Sequence, residues 1–214
     1  MTVLASAVPV TLIGGAPFPR SDLDAALNIG RTVAAADGGA DQALAHGLLP
    51  EAVFGDFDSL SAHAKAVIPA ERLHRIAEQD STDFEKSLSR IRAPLVVAVG
   101  FSGARQDHFL ANLSAMARRV GPPCILIAGS DVITLCPPRI GMDLPAGTRV
   151  SLFPMGSASG ISEGLKWPID GLKFASDGRV GTSNEAMGPI DLAIDGPMLL
   201  ILPGSCLGLL AAAI

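Results

Sequence analysis

Leu95-Val96-Val97-Ala98-Val99-Gly100-Phe101-Ser102-Gly103-Ala104-Arg105-Gln106-Asp107-His108 is the stretch that decides the fold of this 214-residue chain. Leu95–Val99 is a continuous apolar run of strand length, the kind that is buried on both faces. Gly100 and Gly103 then turn the chain, and a helical pattern follows over 107–119. The same alternation recurs on either side. Apolar runs stand at Val10–Ile13, Val33–Ala36, Ala52–Phe54 and Cys124–Ile127, with helical patterns over 22–29, 40–46, 60–67 and 82–91. Strand alternating with helix predicts an α/β N-terminal domain over 1–130, Rossmann-like, with a mostly parallel sheet covered on both faces.

Beyond 130 the helical periodicity disappears, and Gly or Pro punctuates runs such as Val150–Phe153 and Met198–Leu202. That texture predicts an all-β C-terminal sandwich over 131–214. Pro137–Gly147 either links the two domains or joins the first strands of the second.

Bulk properties narrow the function classes. The net charge is -5 and the basic residues are dispersed, so a phosphate-backbone footprint is missing and nucleic acid is not an expected partner. Cys124, Cys136 and Cys206 are odd in number and without CxxC spacing, which reads as reduced packing thiols. The first nineteen residues hold no Lys or Arg, so no secretory leader is expected. The apolar tail from Leu199 is cut by Pro203, Gly204 and Gly208, so no membrane span is expected either, and the cytoplasm is the expected compartment.

In an open α/β sheet, ligands collect where strands end and helices begin, and the polar motifs of this chain follow the apolar runs. Asp37-Gly38-Gly39 follows the second run; by itself it reads as a turn. Asp56 and Asp58, in Gly55-Asp56-Phe57-Asp58-Ser59, can aim two carboxylates at one point, a donor set suited to Mg²⁺, or can cap a helix starting near Ser59. Gln79-Asp80-Ser81-Thr82-Asp83-Phe84-Glu85-Lys86 adds Asp80 and Asp83. Thr82 with Glu85 forms a capping box there, and Asp83 and Lys86 share a helix face. If Asp56, Asp58, Asp80 and Asp83 converge, each bare pair about 4 Å apart repels by roughly 4 kcal/mol at an effective dielectric of 20, so the cluster demands a cation. The turn Gly100–His108 offers N–H groups at a helix start, and Arg105 offers a bidentate fork, both suited to phosphate. His108 alone reads as a structural residue, Trp167 as a core residue, and Gly181-Thr182-Ser183-Asn184 as a turn.

Taken together and in order, these strings resemble the thiamine pyrophosphokinase family. The pattern DGG, GDFDS, QDxTDxxK, GxRxDH, W/Y-P and GTSNE stands here at Asp37–Gly39, Gly55–Ser59, Gln79–Lys86, Gly103–His108, Trp167-Pro168 and Gly181–Glu185. The resemblance implies ATP and thiamine as substrates and a homodimer with sites where domains and subunits meet. Asp56, Asp58, Asp80 and Asp83 would hold Mg²⁺ and, with Lys86, form the catalytic group. Asp37, Gly38, Gly39, Gln79, Thr82, Arg105, Asp107 and His108 fall on the nucleotide and phosphate side. Trp167, Ser183 and Asn184 fall on the thiamine side, the ring packing on the vitamin and the polar groups fixing its pyrimidine. The implied reaction is in-line attack of the thiamine hydroxyl on the β-phosphorus of ATP with AMP leaving, a carboxylate of the cluster acting as base. Asp41 departs from the family, which often has Asn after DGGA. The competing readings are a pyrophosphokinase for another hydroxymethyl heterocycle such as a pterin, and a nucleotide- or thiamine-binding protein without catalysis.

Overall fold

Each of the five apolar runs becomes a strand, and each helical pattern becomes a helix that starts within two residues of its expected position. The structure, a computed structural model, describes residues 2–78 and 80–214. The chain divides into two compact units, one running to Ala115 and resuming over Arg119–Gly129, the other formed by Met116–Arg118 and Ser130–Ile214.

The first unit carries β1 (Leu4–Ala5), β2 (Val10–Ile13), α1 (Arg20–Ile29), β3 (Thr32–Ala36), α2 (Gly39–Ala45), β4 (Ala52–Gly55), α3 (Ala62–Val67), β5 (Leu73–Arg75), α4 (Asp83–Leu88), β6 (Ile91–Arg92), β7 (Val96–Val99), α5 (Gln106–Ala117) and β8 (Cys124–Ala128). Its sheet has the order β8-β7-β2-β3-β4-β5 and every neighbouring pair is parallel. β1 and β6 form a separate parallel pair. All residues of β2, β4 and β7 are buried, as strands covered on both faces must be. Leu23 of α1 packs with Ile13, Val33, Ala43 and Val99, while Ala64 of α3 packs with Ala35, Ala40 and Val53. The chain adds β3, β4 and β5 on one side of β2 and then returns to add β7 and β8 on the other. This reversal opens a crevice outside the carboxyl ends of β2 and β7.

β5 was not expected from the sequence. Its three residues include His74 and Arg75, and a short, half-exposed edge strand has no apolar run to betray it. The helix expected to reach 91 stops at Leu88, because Ser89 and Arg90 turn the chain into β6.

The second unit carries β9 (Asp131–Leu135), β10 (Arg139–Met142), β11 (Arg149–Pro154), β12 (Ala158–Leu165), β13 (Lys173–Phe174), β14 (Gly181–Asp195), β15 (Met198–Pro203) and α6 (Leu207–Ala213). The order β13-β12-β14-β11-β15-β9, with β10 also on β14, is antiparallel throughout. The long β14 pairs with β11 through Gly181–Glu185 and with β12 and β10 farther along. Strand β10 places Pro137–Gly147 inside this unit, not in a linker. The expectation of strands alone fails at the end of the chain. Leu207-Gly208-Leu209-Leu210-Ala211-Ala212-Ala213 is rich in helix formers, and Leu207 and Leu210, three residues apart, are both buried. The three cysteines are buried thiols. Among the described residues, no helix is long and apolar enough to cross a membrane.

Candidate active site

Asp37 leaves β3 with φ of 42°, its N–H donating to the Phe54 carbonyl at 2.8 Å and its carbonyl accepting from the Ala40 N–H at 2.9 Å. The turn expected of Asp-Gly-Gly is therefore present, and it is tight. A Cβ on Gly39 would lie 2.1 Å from the Ile13 carbonyl oxygen, and one on Gly55 would lie 2.8 Å from the Cβ of Asp37. These two glycines let β2, β4 and the start of α2 close around the Asp37 side chain, which is 2% exposed.

Asp56 and Asp58 flank Phe57, whose φ of 69° is unusual for a bulky residue. The Asp58 N–H donates to Asp56 Oδ1 at 3.2 Å, the Ser59 hydroxyl to Asp58 Oδ1 at 2.8 Å, and Lys65 Nζ to the Phe57 carbonyl at 3.1 Å. Neither aspartate caps the next helix. Ser61 does, accepting from the Ala64 N–H at 3.0 Å. Asp41 accepts from both the N–H and the hydroxyl of Ser61, so the residue that departs from the family pattern ties α2 to α3.

One carboxylate oxygen from each of Asp37, Asp56 and Asp58 lies within 4.8 Å of the others. Among the described residues, no donor within hydrogen-bond reach is found for either oxygen of Asp37 other than a proton shared with Asp56. Burial, followed by the charges of Asp83, Asp58 and Asp56 and a proton that Asp56 can share with it, pushes Asp37 up to about 7. Burial also raises Asp83, offset by Lys86 Nζ at 3.4 Å and reinforced by Asp56 and Asp58. An all-carboxylate donor set with two orphaned buried oxygens suits a hard divalent cation, which removes the repulsion and supplies the missing partner. The membership differs from the expected one. Asp56 and Asp58 come together, but the third member is Asp37, expected as a turn residue and, from the resemblance, on the nucleotide and phosphate side, not as a metal ligand; Asp83 is close enough to be felt. Asp80 is exposed, its N–H held by Glu78 at 2.9 Å, and it is not in the group. Gln79 lies outside the described residues.

Asp37 and Asp83 line a cavity of about 540 Å³, together with Gly38, Asp41, Arg105 and His108. Thr82 caps α4, accepting from the Glu85 N–H at 3.3 Å, and donates to Asn112 Oδ1 at 3.2 Å. Asn112 in turn donates to the Phe101 carbonyl at 3.2 Å, linking the α4 start to the Gly100–Arg105 turn. The sequence reading passed over Asn112. Its signal was a polar residue one helical turn after His108, amid Phe109, Leu110, Leu113 and Met116. Lys86 is 4% exposed and His108 is exposed. Arg105 forms its fork with Asp107, at 3.2 and 2.6 Å, and this pairing pushes Asp107 down to about 2.

In the second unit, Trp167 is 55% exposed and is not a core residue. Gly181-Thr182-Ser183-Asn184 opens β14 and is not a turn, although Ser183 has φ of 62° and donates its N–H to Ser151 Oγ at 3.0 Å. Asn184 is buried, and both ends of its amide face the Trp167 backbone. Trp167, Asn184, Thr182 and Arg179 border a recess of about 170 Å³.

Comparison with known proteins gives the family of the chain. Residues 23–126 match the family model described as "Thiamin pyrophosphokinase, catalytic domain", and residues 138–199 match "Thiamin pyrophosphokinase, vitamin B1 binding domain". Thiamine pyrophosphokinase 1 of Oryza sativa subsp. japonica is 29% identical over 154 residues, 63% of this chain and 58% of that relative. The chain thus spans well under two thirds of the length of that relative. Thiamine pyrophosphokinase of Bacillus subtilis is 33% identical over 81 residues, 35% of this chain and 37% of its own. The solved thiamin pyrophosphokinase of Candida albicans superposes with a TM-score of 0.76 at 17% identity, covering 92% of this chain and 89% of the other. That of Geobacillus thermodenitrificans gives 0.74 at 24% identity, covering 91% and 96%.

Proposed function

Because this chain belongs to the thiamin pyrophosphokinase family, we propose that it moves the diphosphate of ATP onto the hydroxyl of thiamine, giving thiamine diphosphate and AMP. The observation that carries this reading is Asp37, a buried carboxylate whose oxygens meet no donor among the described residues, lining a cavity of about 540 Å³ within 4.8 Å of the carboxylates of Asp56 and Asp58. That volume is in the range of small-ligand sites. A carboxylate group of this kind at neutral pH calls for a metal cation or for a retained proton.

In this reading Asp37, Asp56 and Asp58, with Asp83 beside them, hold Mg²⁺. When bound, the ion draws charge from the phosphate oxygens and makes the β-phosphorus a better electrophile. The residues of the chain orient and neutralise. Arg105, paired with exposed Asp107, exchanges that carboxylate for phosphate oxygens, which suit the same fork. Lys86, buried at 3.4 Å from Asp83, offsets one of the acidic charges beside the triphosphate. The thiamine hydroxyl oxygen bonds to the β-phosphorus, the bond from that phosphorus to the bridging oxygen of AMP breaks, and a carboxylate of the acidic group takes the hydroxyl proton. The second unit, read as a β-sandwich, presents the Trp167 indole to the cationic vitamin. The first unit is read as Rossmann-like and nucleotide-binding, and the protein as a cytoplasmic homodimer.

The test is ³¹P NMR of the protein with ATP, Mg²⁺ and thiamine. AMP and thiamine diphosphate, lost on Asp37→Asn or on chelation of Mg²⁺, are the expected products. ADP with thiamine monophosphate would overturn diphosphate transfer, AMP formed only with a hydroxymethyl pterin would overturn the substrate, and saturable binding of ATP and thiamine without turnover would overturn catalysis.

A further inference from the structure

The family resemblance implies one task for Trp167 and Asn184, contact with thiamine. Their geometry separates them. Asn184 is 8% exposed, while Trp167, seventeen residues earlier, stands 55% exposed in the segment that follows β12. The Asn184 amide is spent on backbone. Its Oδ1 accepts from the Trp167 N–H at 3.2 Å and from the Glu185 N–H at 2.8 Å, and its Nδ2 donates to the Trp167 carbonyl at 2.7 Å. Both the N–H and the C=O of Trp167 are therefore held by one planar group, which fixes the peptide units on either side of the Trp167 Cα and hence the direction of its Cα–Cβ bond.

The surrounding backbone holds Asn184 in place. β14 pairs Asn184 with Val150 and Glu185 with Arg149, so the position of its Cα is set by a ladder that Trp167 does not belong to. On either side of Trp167 the segment is tied too, the Ile169 N–H donating to Ser162 Oγ at 3.0 Å. The neighbouring Lys166 donates its N–H to the Glu185 carbonyl at 2.9 Å and places Nζ 3.3 Å from Glu185 Oε2 and 5.0 Å from the indole centroid. An exposed indole samples more orientations when the backbone that carries it is free to rotate than when it is held. A large ring that must meet a ligand face-on gains affinity by being held in advance.

We propose that Asn184 is a positioning residue that orients the Trp167 indole for ring stacking and does not itself touch thiamine. This rests on the reading of the protein as a thiamine pyrophosphokinase, but the clamp can be tested without any ligand. Trp167 is the only tryptophan and the chain has no tyrosine, so intrinsic fluorescence excited at 295 nm, a wavelength selective for indole, reports this residue alone.

The experiment compares the whole protein with Asn184→Asp, which keeps the two accepted hydrogen bonds and loses the one donated to the Trp167 carbonyl, and with Asn184→Ala, which loses all three. In the absence of ligand, Trp167 anisotropy is expected to fall and acrylamide quenching to rise in the order wild type, Asp, Ala. In turnover, the KM for thiamine is expected to rise on the order of tenfold in Asn184→Ala, the scale of one or two neutral hydrogen bonds, with the KM for ATP unchanged. If Asn184→Ala does not fold, the Asp variant carries the test, because it retains the bond to Glu185 within β14. Unchanged anisotropy and quenching in a folded variant overturn the clamp, and a raised thiamine KM in that case assigns Asn184 to direct contact. If the wild type turns over no thiamine while the anisotropy still falls in the variants, the clamp stands and the substrate reading is the one that fails.

Discussion

Asp37 is the residue on which the acidic site turns, and its chemistry predicts two opposite responses to one substitution. Asparagine has nearly the same volume, carries no charge and brings a donor to Asp56, so Asp37→Asn removes the repulsion within the group of three carboxylates. The metal-free variant is expected to unfold at a temperature several degrees higher than wild type at pH 8, the size of a gain of about 1–2 kcal/mol in a domain of this length. Its diphosphate transfer is expected to fall on the order of a hundredfold or more, as when one electrostatic contact to a transition state is lost. Thermal melting and ³¹P NMR on the same preparation check both; a variant that is both less stable and fully active would remove Asp37 from the site. Lys166 yields a second prediction at this scale. Its ammonium lies 5.0 Å from the Trp167 centroid, where it competes with any other cation for that ring. Lys166→Met is expected to tighten thiamine binding by roughly two- to fivefold, the range of an exposed cation–π contact of about 0.5–1 kcal/mol. Quenching of Trp167 by thiamine, titrated at low ionic strength, measures it.

The elements bring the motifs together only because glycines let them approach. Gly39 opens α2 against the end of β2, where an added Cβ would lie 2.1 Å from the Ile13 carbonyl oxygen, a backbone atom that cannot swing aside. Gly39→Ala is expected to shift α2 away from β2 and to cost about 1–3 kcal/mol, the scale of overpacking. Gly47→Ala provides the contrast. Nothing lies within 4 Å of its added Cβ, but its φ of 74° is unfavourable for any side chain, so its cost of about 1 kcal/mol is purely conformational. Urea unfolding of both variants, with ATP affinity measured alongside, distinguishes them. Both are expected to lose stability, but only Gly39→Ala to lose nucleotide affinity, because Asp41 of α2 and its N-cap Gly38 line the cavity. Elements of this kind were legible where a run of four or five apolar residues met a Gly-bearing turn, as at Val96–Val99. They were not legible at β5, where three half-exposed residues are strand only because β4 offers them a free edge.

In the whole molecule, much of the parallel sheet of the first unit could be read from the chain, and the site only in part. Asp56 and Asp58 announce themselves by adjacency, but Asp37 joins them from another strand end through β3–β4 pairing, and such a contact has no signature in local spacing. Asp80 looked equivalent to Asp83 in sequence, yet the α4 N-cap at Thr82 turns one aspartate inward with Lys86 and leaves the other outside. Trp167 by itself read as core because a lone Trp in an apolar domain usually is, yet it stands 55% exposed with its backbone N–H and C=O bonded to the Asn184 amide. The acidic site also sets how the stability of the protein responds to pH. Folding raises Asp37 from its ordinary 3.8 to about 7, so the folded protein holds a proton that the unfolded chain has released. The stability this contributes is present in full below 3.8 and is lost as pH rises through about 7. From pH 6 to pH 8 the metal-free protein is therefore expected to lose on the order of 1 kcal/mol through this group alone. Asp83, raised for the same reason, acts in the same direction. A divalent cation competes with that proton, so millimolar Mg²⁺ is expected to stabilise the protein markedly at pH 8 and little at pH 5.5. Thermal melts at the two pH values, with Mg²⁺ and with a chelator, give four midpoints. A Mg²⁺ shift equal at both pH values would mean that the ion binds away from Asp37, and with it the acidic group would lose its place at the centre of the site.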